Sequence, residues 1–253
     1  MVPQKVTIAA LEGIPLIAEG DDLAGHICVG MDRAGFEAKA SDVLVVAQKV
    51  VSKTEGRFLR LDSLTPGPRA YELAAATGKD PRFVEAVLAE SVEVVRYRPG
   101  VIVVETHHGI VMANAGIDRS NVDADLVLLL PRDPDASAEA LRTRLLERYG
   151  ESPAVVISDS VGRAWRNGTV GLAIGAAGLP ALLDRRGARD LYGRPLEVTM
   201  LGYADSIASA AGLVMGEGAE GCPAVLVSGL DWPRDTSLPA SALIRPKQED
   251  MFR

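Results

Sequence analysis

The sequence has little cysteine. Cys28 and Cys222 are the two in 253 residues. Two isolated thiols build neither a disulfide framework nor a paired zinc motif, and a reducing cytoplasm is the expected setting. No window reaches the roughly 18 uninterrupted apolar residues of a membrane span, and Met1 to Val6 lacks an apolar signal core. Aromatic residues are scarce at 4%, so the core must be built from small aliphatic side chains. Positive charge is in deficit: 27 Lys and Arg against 34 Asp and Glu leave a net charge of -7. A field of that sign repels phosphate backbones and argues against nucleic acid as a partner. It leaves room for a small phosphorylated ligand held by a local basic patch or a metal. The common fingerprints GxxxxGK[ST], GxGxxG, HExxH and GxSxG are missing. The three histidines, His26, His107 and His108, read as structural. Neighbours on a strand face opposite sides, so His107 and His108 do not chelate one ion.

What remains is ordinary for a soluble globular protein: 47% hydrophobic and 24% charged residues. The length suits one large domain or two intimately joined ones. Asp42 to Ser52 is rich in β-branched residues and reads as a buried strand. Pro68 to Gly78 and Pro81 to Glu93 read as helices, with Pro opening and Gly closing. Val94-Val95, Val101 to Val104 and Ile110 to Met112 read as short strands of antiparallel hairpins, split at Pro99-Gly100 and His108-Gly109. Asp135 to Tyr149 reads as a helix started near Asp135 or Ser137 and stopped by Gly150. Pro153 to Ser158 reads as a strand ending at Asp159-Ser160, and Gly168 to Gly178 as a Gly/Ala-rich, closely packed stretch. Leu196 to Met200, Tyr203 to Met215 and Ala224 to Ser228 complete the pattern as strand, helix and strand. The mixture predicts an α/β fold of α+β character, with mixed sheets and antiparallel hairpins.

Three segments carry candidate chemistry. Asn114 to Asn121 follows a strand and offers Asp118 and Asn121. Oxygen ligands at a strand exit suit hard cations such as Mg²⁺ or Mn²⁺, and an Asx turn or helix cap uses the same residues. Ile157 to Arg166 sets Asp159 and the Ser160 hydroxyl beside Arg163 and Arg166. Carboxylate and hydroxyl suit a metal, guanidinium groups suit anionic oxygens, and a capped helix start is the plain alternative. Met215 to Cys222 is a Gly-rich loop in which Glu217 adds a carboxylate. Beside these, Gly13 to Leu16 reads as a turn, and Lys49 or Lys53 is placed to neutralise phosphate.

Several collinear stretches then match a known pattern: Leu11 to Ile17, Asp42 to Val46, Val51 to Arg57, Ala113 to Val122, Ile157 to Arg163, Asp190 to Arg194, Leu213 to Gly218 and Leu243 to Arg253. On these the chain resembles the coenzyme F420-0:L-glutamate ligase (F420 gamma-glutamyl ligase) family along essentially its whole length. The resemblance implies a single ligase domain over residues 1–253, made of two subdomains and assembled as an intertwined homodimer, without the flavin-binding domain that follows it in some bacterial members. It implies GTP as co-substrate, two divalent ions (Mg²⁺ or Mn²⁺), and coenzyme F420-0 and L-glutamate as substrates. It implies Asp118 and Asp159 as ligands of one metal and Ser160 and Glu217 as ligands of a second. Gly13, Ile14, Pro15, Leu16, Gln48, Lys53, Asn121, Met215, Gly216, Glu217, Gly218, Ala219, Glu220, Gly221 and Cys222 are implied nucleotide contacts. Arg163 is expected to hold a substrate anion and so joins Asp118 and Asp159 as a catalytic candidate. Gln48 and Ser160 depart from the family's usual Ser/Thr and Thr. A metal-dependent GTP or phosphate-ester hydrolase, or a ligase with another carboxylate acceptor, is open on the same residues.

Overall fold

The structure is a computed structural model that describes residues 5–119 and 125–252. Its largest sheet is mixed. Strands β1 (Thr7–Ala10), β2 (Val43–Ala47), β8 (Ala154–Arg163), β9 (Arg166–Ala177) and β12 (Ala224–Ser228) lie in the order β1-β12-β2-β8-β9. Only β2 and β8 run parallel; the other neighbours are antiparallel. The two faces follow from side-chain alternation along each strand. Leu44, Val46, Val155, Ile157 and Leu226 point to one side, where α1 (Leu23–Ala34) and α5 (Pro134–Tyr149) supply Ile27, Met31, Leu141 and Leu145. Val43, Val45, Val156, Val225 and Val227 point to the other, where α6 (Tyr203–Met215) supplies Ala204, Ile207, Ala208 and Ala211. Burial on both faces explains why these strands read as near-continuous apolar runs.

A third hydrophobic cluster lies apart from that sheet. Helices α3 (Pro68–Thr77) and α4 (Pro81–Ala89) pack Leu73, Phe83, Val84 and Val87 with Ile102 and Val104 of an antiparallel sheet. Its strands are β4 (Ser91–Arg98), β5 (Val101–Thr106) and β6 (Val111–Ala113), in that order. Two small ribbons, β3 (Phe58–Arg60) with β7 (Leu126–Leu128) and β10 (Leu182–Asp184) with β11 (Met200–Gly202), complete the α/β fold.

The hairpins, the α6 bounds and the last strand agree with the sequence reading. Four elements differ. The strand expected over Asp42 to Ser52 ends at Ala47, where α2 (Gln48–Thr54) begins. Its β-branched residues hid a helical i,i+4 pair, Gln48 Nε2 donating to Ser52 Oγ at 2.6 Å. Helix α4 stops at Ala89, and the β-branched Val92, Val94 and Val95 enter β4. Strand β8 does not stop at Asp159-Ser160 but runs to Arg163, because β9 continues to pair with it as a two-stranded ribbon. Leu196 to Val198 form no strand: Leu196 exchanges backbone bonds with Gly187 and Ala188, the strand is Met200–Gly202 paired with β10, and Val198 is 83% exposed.

Helix α5 starts one residue earlier than expected, at Pro134, and its cap is Asp133 rather than Asp135 or Ser137, accepting from Ala136 N–H at 3.0 Å. That frees the Asp135 carboxylate. It accepts backbone N–H groups from Ala176 (2.9 Å), Ala240 (2.7 Å) and Ser241 (3.2 Å), tying the C-terminal segment to β9. Asp205 of α6 likewise accepts from Ala173 N–H at 2.9 Å. Strand β9 is a sheet edge, and these carboxylates occupy N–H groups that would otherwise template pairing with another chain. Each N–H left without its partner would cost about 1–3 kcal/mol.

Candidate active site

The site forms where β2 ends and β8 continues. Ser158 is the last β8 residue paired with β2, opposite Ala47. Past it, β8 carries Asp159 and Ser160 beyond the edge of β2, beside the first turn of α2 and Lys49. The α6–β12 loop returns to the same edge, since Ala47 N–H donates to Pro223 O at 2.8 Å. Asp118 arrives from the opposite wall, held by reciprocal backbone bonds with Leu128, both 2.9 Å. This is the carboxyl end of the parallel strand pair, the edge at which open α/β sheets present ligands.

A cavity of about 300 Å³ lies there, lined by Lys49, Asp118, Asp159, Ser160, Thr169 and Glu217 among its polar residues, with Met112, Ile117, Val161 and Gly162 beside them. Lys49 Nζ meets Asp118 Oδ2 at 2.6 Å. Ser160 donates its hydroxyl to Glu217 Oε1 at 2.7 Å and its backbone N–H to Asp159 Oδ1 at 2.9 Å. Burial pushes the Asp159 carboxyl up to about 6. The charges of Asp118 and Glu217 push the same way, while the Ser160 N–H and Lys49 pull it down. Three carboxylates thus share a partly desolvated space with one ammonium.

That donor set fits hard cations. It is all oxygen, carries an excess of negative charge, and has a hydroxyl among the carboxylates. Among the described residues no three His, Cys, Asp or Glu side chains form a ready-made cage for one ion. A pair of protein oxygens per ion is the arrangement these residues suit, the remaining positions going to water and substrate phosphate, as Mg²⁺ sites are usually built.

The other candidates lie at varied distance. Arg163 ends β8 and does not line the cavity; one guanidinium nitrogen, Nη1, is enclosed without a hydrogen-bond partner. Gln48 is buried, and its amide donates to Ser52 and, at 3.4 Å, to Leu129 O. Its side chain therefore faces the interior. Lys49, not Lys53, reaches the cavity. Gly13 turns with φ +78 against Arg33 of α1, and the preceding Leu11 N–H donates to Ala224 O at 3.0 Å, just past the Gly216 to Cys222 loop. That loop is tied by Glu220, whose carboxylate accepts from Gly218 N–H at 2.7 Å. Those N–H contacts hold the Glu220 carboxyl below its usual range. Cys222 sits against Ala224 O, and burial raises its thiol. Met215 closes α6 before Gly216. Asn121 lies outside the described residues. Sequence reasoning missed Thr169, which enters the cavity from β9 opposite Gly162; no motif marks a threonine whose role depends on strand register.

Residues 13–229 match the family F420-0:gamma-glutamyl ligase. The chain is 47% identical to the coenzyme F420:L-glutamate ligase of Methanothermobacter thermautotrophicus over 249 residues, 98% of this chain and 99% of that protein. It is 48% identical to the protein of that name in Archaeoglobus fulgidus, with 98% and 97% covered, and 47% identical to that in Methanopyrus kandleri, with 96% and 97% covered. The matched stretch holds every segment that converges on the cavity, and the chain belongs to the F420-0:gamma-glutamyl ligase family.

Proposed function

We propose that this protein joins the amine of L-glutamate to the carboxylate of coenzyme F420-0, with GTP as phosphoryl donor. The ligase class follows from family membership. The observation that carries the rest is the gathering of Asp118, Asp159, Ser160, Glu217 and Lys49 around one cavity. A carboxylate is a poor electrophile and must be activated. An oxygen of the acceptor carboxylate attacks the γ-phosphorus of GTP, giving an acyl phosphate and GDP. The glutamate amine then attacks the acyl carbon. The carbon–oxygen bond to phosphate breaks, phosphate leaves, and the amine loses a proton to it.

Asp118 with Asp159, and Ser160 with Glu217, are the pairs that would hold two divalent ions. Bound there, the ions neutralise phosphate charge and stabilise the transferring group. Lys49 supplies a fixed ammonium at the same cavity, and its pairing with Asp118 keeps both groups oriented before substrate arrives. The Gly-rich loop from Gly216 to Cys222 offers backbone close to the nucleotide. The test is mass spectrometry of the product formed from F420-0, GTP, Mg²⁺ or Mn²⁺ and L-glutamate. A mass gain of one glutamate residue, with GDP and phosphate in equal amounts, is expected. GTP turnover that proceeds equally without glutamate would show a hydrolase instead.

The protein works as a homodimer. Trp165 at the β8–β9 hairpin tip, with Leu191, Tyr192 and Val198, stands largely in solvent, an apolar display of the kind that marks association surfaces. Light scattering should return twice the mass of one chain; a single-chain mass overturns this.

A further inference from the structure

A second cavity, of about 380 Å³, adjoins the first and has no role in the account above. The segment Asn114 to Arg119 is the wall between them. Ile117 lines both cavities, Gly116 and Asp118 face the first, and Asn114 and Arg119 face the second. The far side is the junction between α3 and α4, with Lys79 and Phe83.

Its chemistry is specific. Lys79 Nζ stands 5.3 Å and the Arg119 guanidinium 5.6 Å from the centre of the buried Phe83 ring, so one aromatic face system gathers two cations. Among the described residues neither cation enters an ion pair within 4.0 Å. Burial and the Arg119 charge hold the Lys79 ammonium below its usual range, the mark of a cation short of counter-charge. Asp80, the carboxylate lining the cavity, caps α4 and pairs with Arg82 at 2.7 Å; the Arg82 bond holds its carboxyl below the usual range, and the Arg119 charge adds to this only as a smaller effect. The Asn114 side-chain oxygen is buried without a partner. Asn114, Ala115 and Gly116 all hold positive φ, at 53°, 55° and 68°, a run of sparsely populated backbone that fixes the wall in one shape.

We infer that this second cavity holds the incoming L-glutamate, with Lys79 and Arg119 taking its two carboxylates and the Asn114 carboxamide oxygen accepting a hydrogen bond from its amine. This rests on the ligase reading. Two cations and one buried acceptor match two carboxylates and an N–H donor, and the shared Ile117 wall puts that amine next to the phosphate-activating cavity. A phosphodiester of the acceptor or a nucleotide phosphate could also seek two cations, yet neither brings an N–H donor for Asn114.

Steady-state kinetics of the full-length protein, varying each substrate in turn, separate these sources. Arg119→Ala and Lys79→Ala should each raise the KM for L-glutamate by about 10- to 100-fold, the worth of one charge-assisted hydrogen bond. The KM for GTP and for F420-0 should stay within about twofold. The wild type should also prefer L-glutamate to L-glutamine, which lacks the side-chain charge, and the more disruptive of the two variants should lose most of that preference. An unmoved glutamate KM in both variants, or a rise confined to the KM of F420-0 or GTP, overturns the assignment while the ligase reading survives. Wild-type protein that forms no glutamate adduct overturns both. Should a variant fail to fold, Lys79→Gln and Arg119→Gln, which keep the side-chain stems over Phe83, decide on the same readouts.

Discussion

Asp159→Asn should lower the ligation rate by about 100- to 1,000-fold, and it should do so in a protein that is no less stable than the wild type. The loss follows from position. Asp159 lines the same cavity as Asp118 and Glu217, and burial first, then the charges of those two carboxylates, pushes its carboxyl up. Asparagine keeps the shape and can still accept the Ser160 N–H, so the substitution removes charge and little else. Asp159 would act by holding an ion that offsets the charge of the reacting phosphate; losing that hold is worth about 3–4 kcal/mol of transition-state energy, and each 1.36 kcal/mol is tenfold in rate. The stability side has the opposite sign. In the fold this carboxyl titrates near 6, up from its ordinary 3.8. Below about 3.8 the group is protonated in folded and unfolded chains alike and costs nothing. As pH rises through that value towards 6, the unfolded chain ionises first and unfolding is favoured, and above 6 the cost is complete. In EDTA, then, the Asn variant should melt above the wild type at pH 8 and match it near pH 3.5. Near-normal turnover, or a lower melting temperature at pH 8, would show that Asp159 is not the strained hub of the site. The trade of stability for activity is the usual one where like charges are crowded for function.

Much of this arrangement was legible in the sequence, and the boundary of legibility has physical causes. Helix ends were readable where a single residue imposes the backbone: Gly78 and Gly150 close their helices at φ 71 and 76. Strand interiors were readable because burial on both faces leaves apolar runs. Failure came where tertiary structure overrides local preference. Val50 and Val51 favour a strand in isolation, yet they lie in α2, since the chain must turn at Ala47 for Val51 to enter the core. Strand β8 outlasts its apolar run because a partner strand, invisible in the local sequence, continues beside it. The site residues Asp118, Asp159, Ser160 and Glu217 could be named because each sits in a motif of turn formers and polar side chains. Lys49 and Lys53 could not be ranked, since only the start of a helix at Gln48 decides which of them faces the cavity. Lys79 and Arg119 escaped notice altogether. Forty residues apart, they meet only through Phe83, and no local pattern announces such a meeting.

Gly175→Val should be the most damaging single change in the sheet, and Gly175→Ala should already cost about 3 kcal/mol or more. Gly175 pairs with Ile157 across the β8–β9 ladder. A Cβ placed on it would come within 3.0 Å of the Pro134 carbonyl group, at the first turn of α5. That neighbour is helix backbone, which cannot rotate away as a side chain can. Asp135 holds the same turn to β9 through Ala176, so the helix cannot retreat without breaking that bond. Overpacking a core ordinarily costs about 1–3 kcal/mol, and here the flexible component that relieves strain is missing. The contact also explains the Gly/Ala composition of the strand: Gly171 meets the Ala208 carbonyl of α6 just as closely on the other face. Damage would reach the active site, because the ladder shifts register between Ile157 and Ser158, next to Gly175 and immediately before Asp159. Gly212→Ala provides the contrast. It lies within α6, and an added methyl meets nothing nearer than 4.0 Å, so relief of glycine's helix penalty should raise stability by up to about 1 kcal/mol. Urea unfolding of the two alanine variants measures both signs at once. If Gly175→Ala unfolds within about 1 kcal/mol of the wild type, β9 is not clamped between the two helices, and the rigid placement of Asp159 and Ser160 over the cavity must have another source.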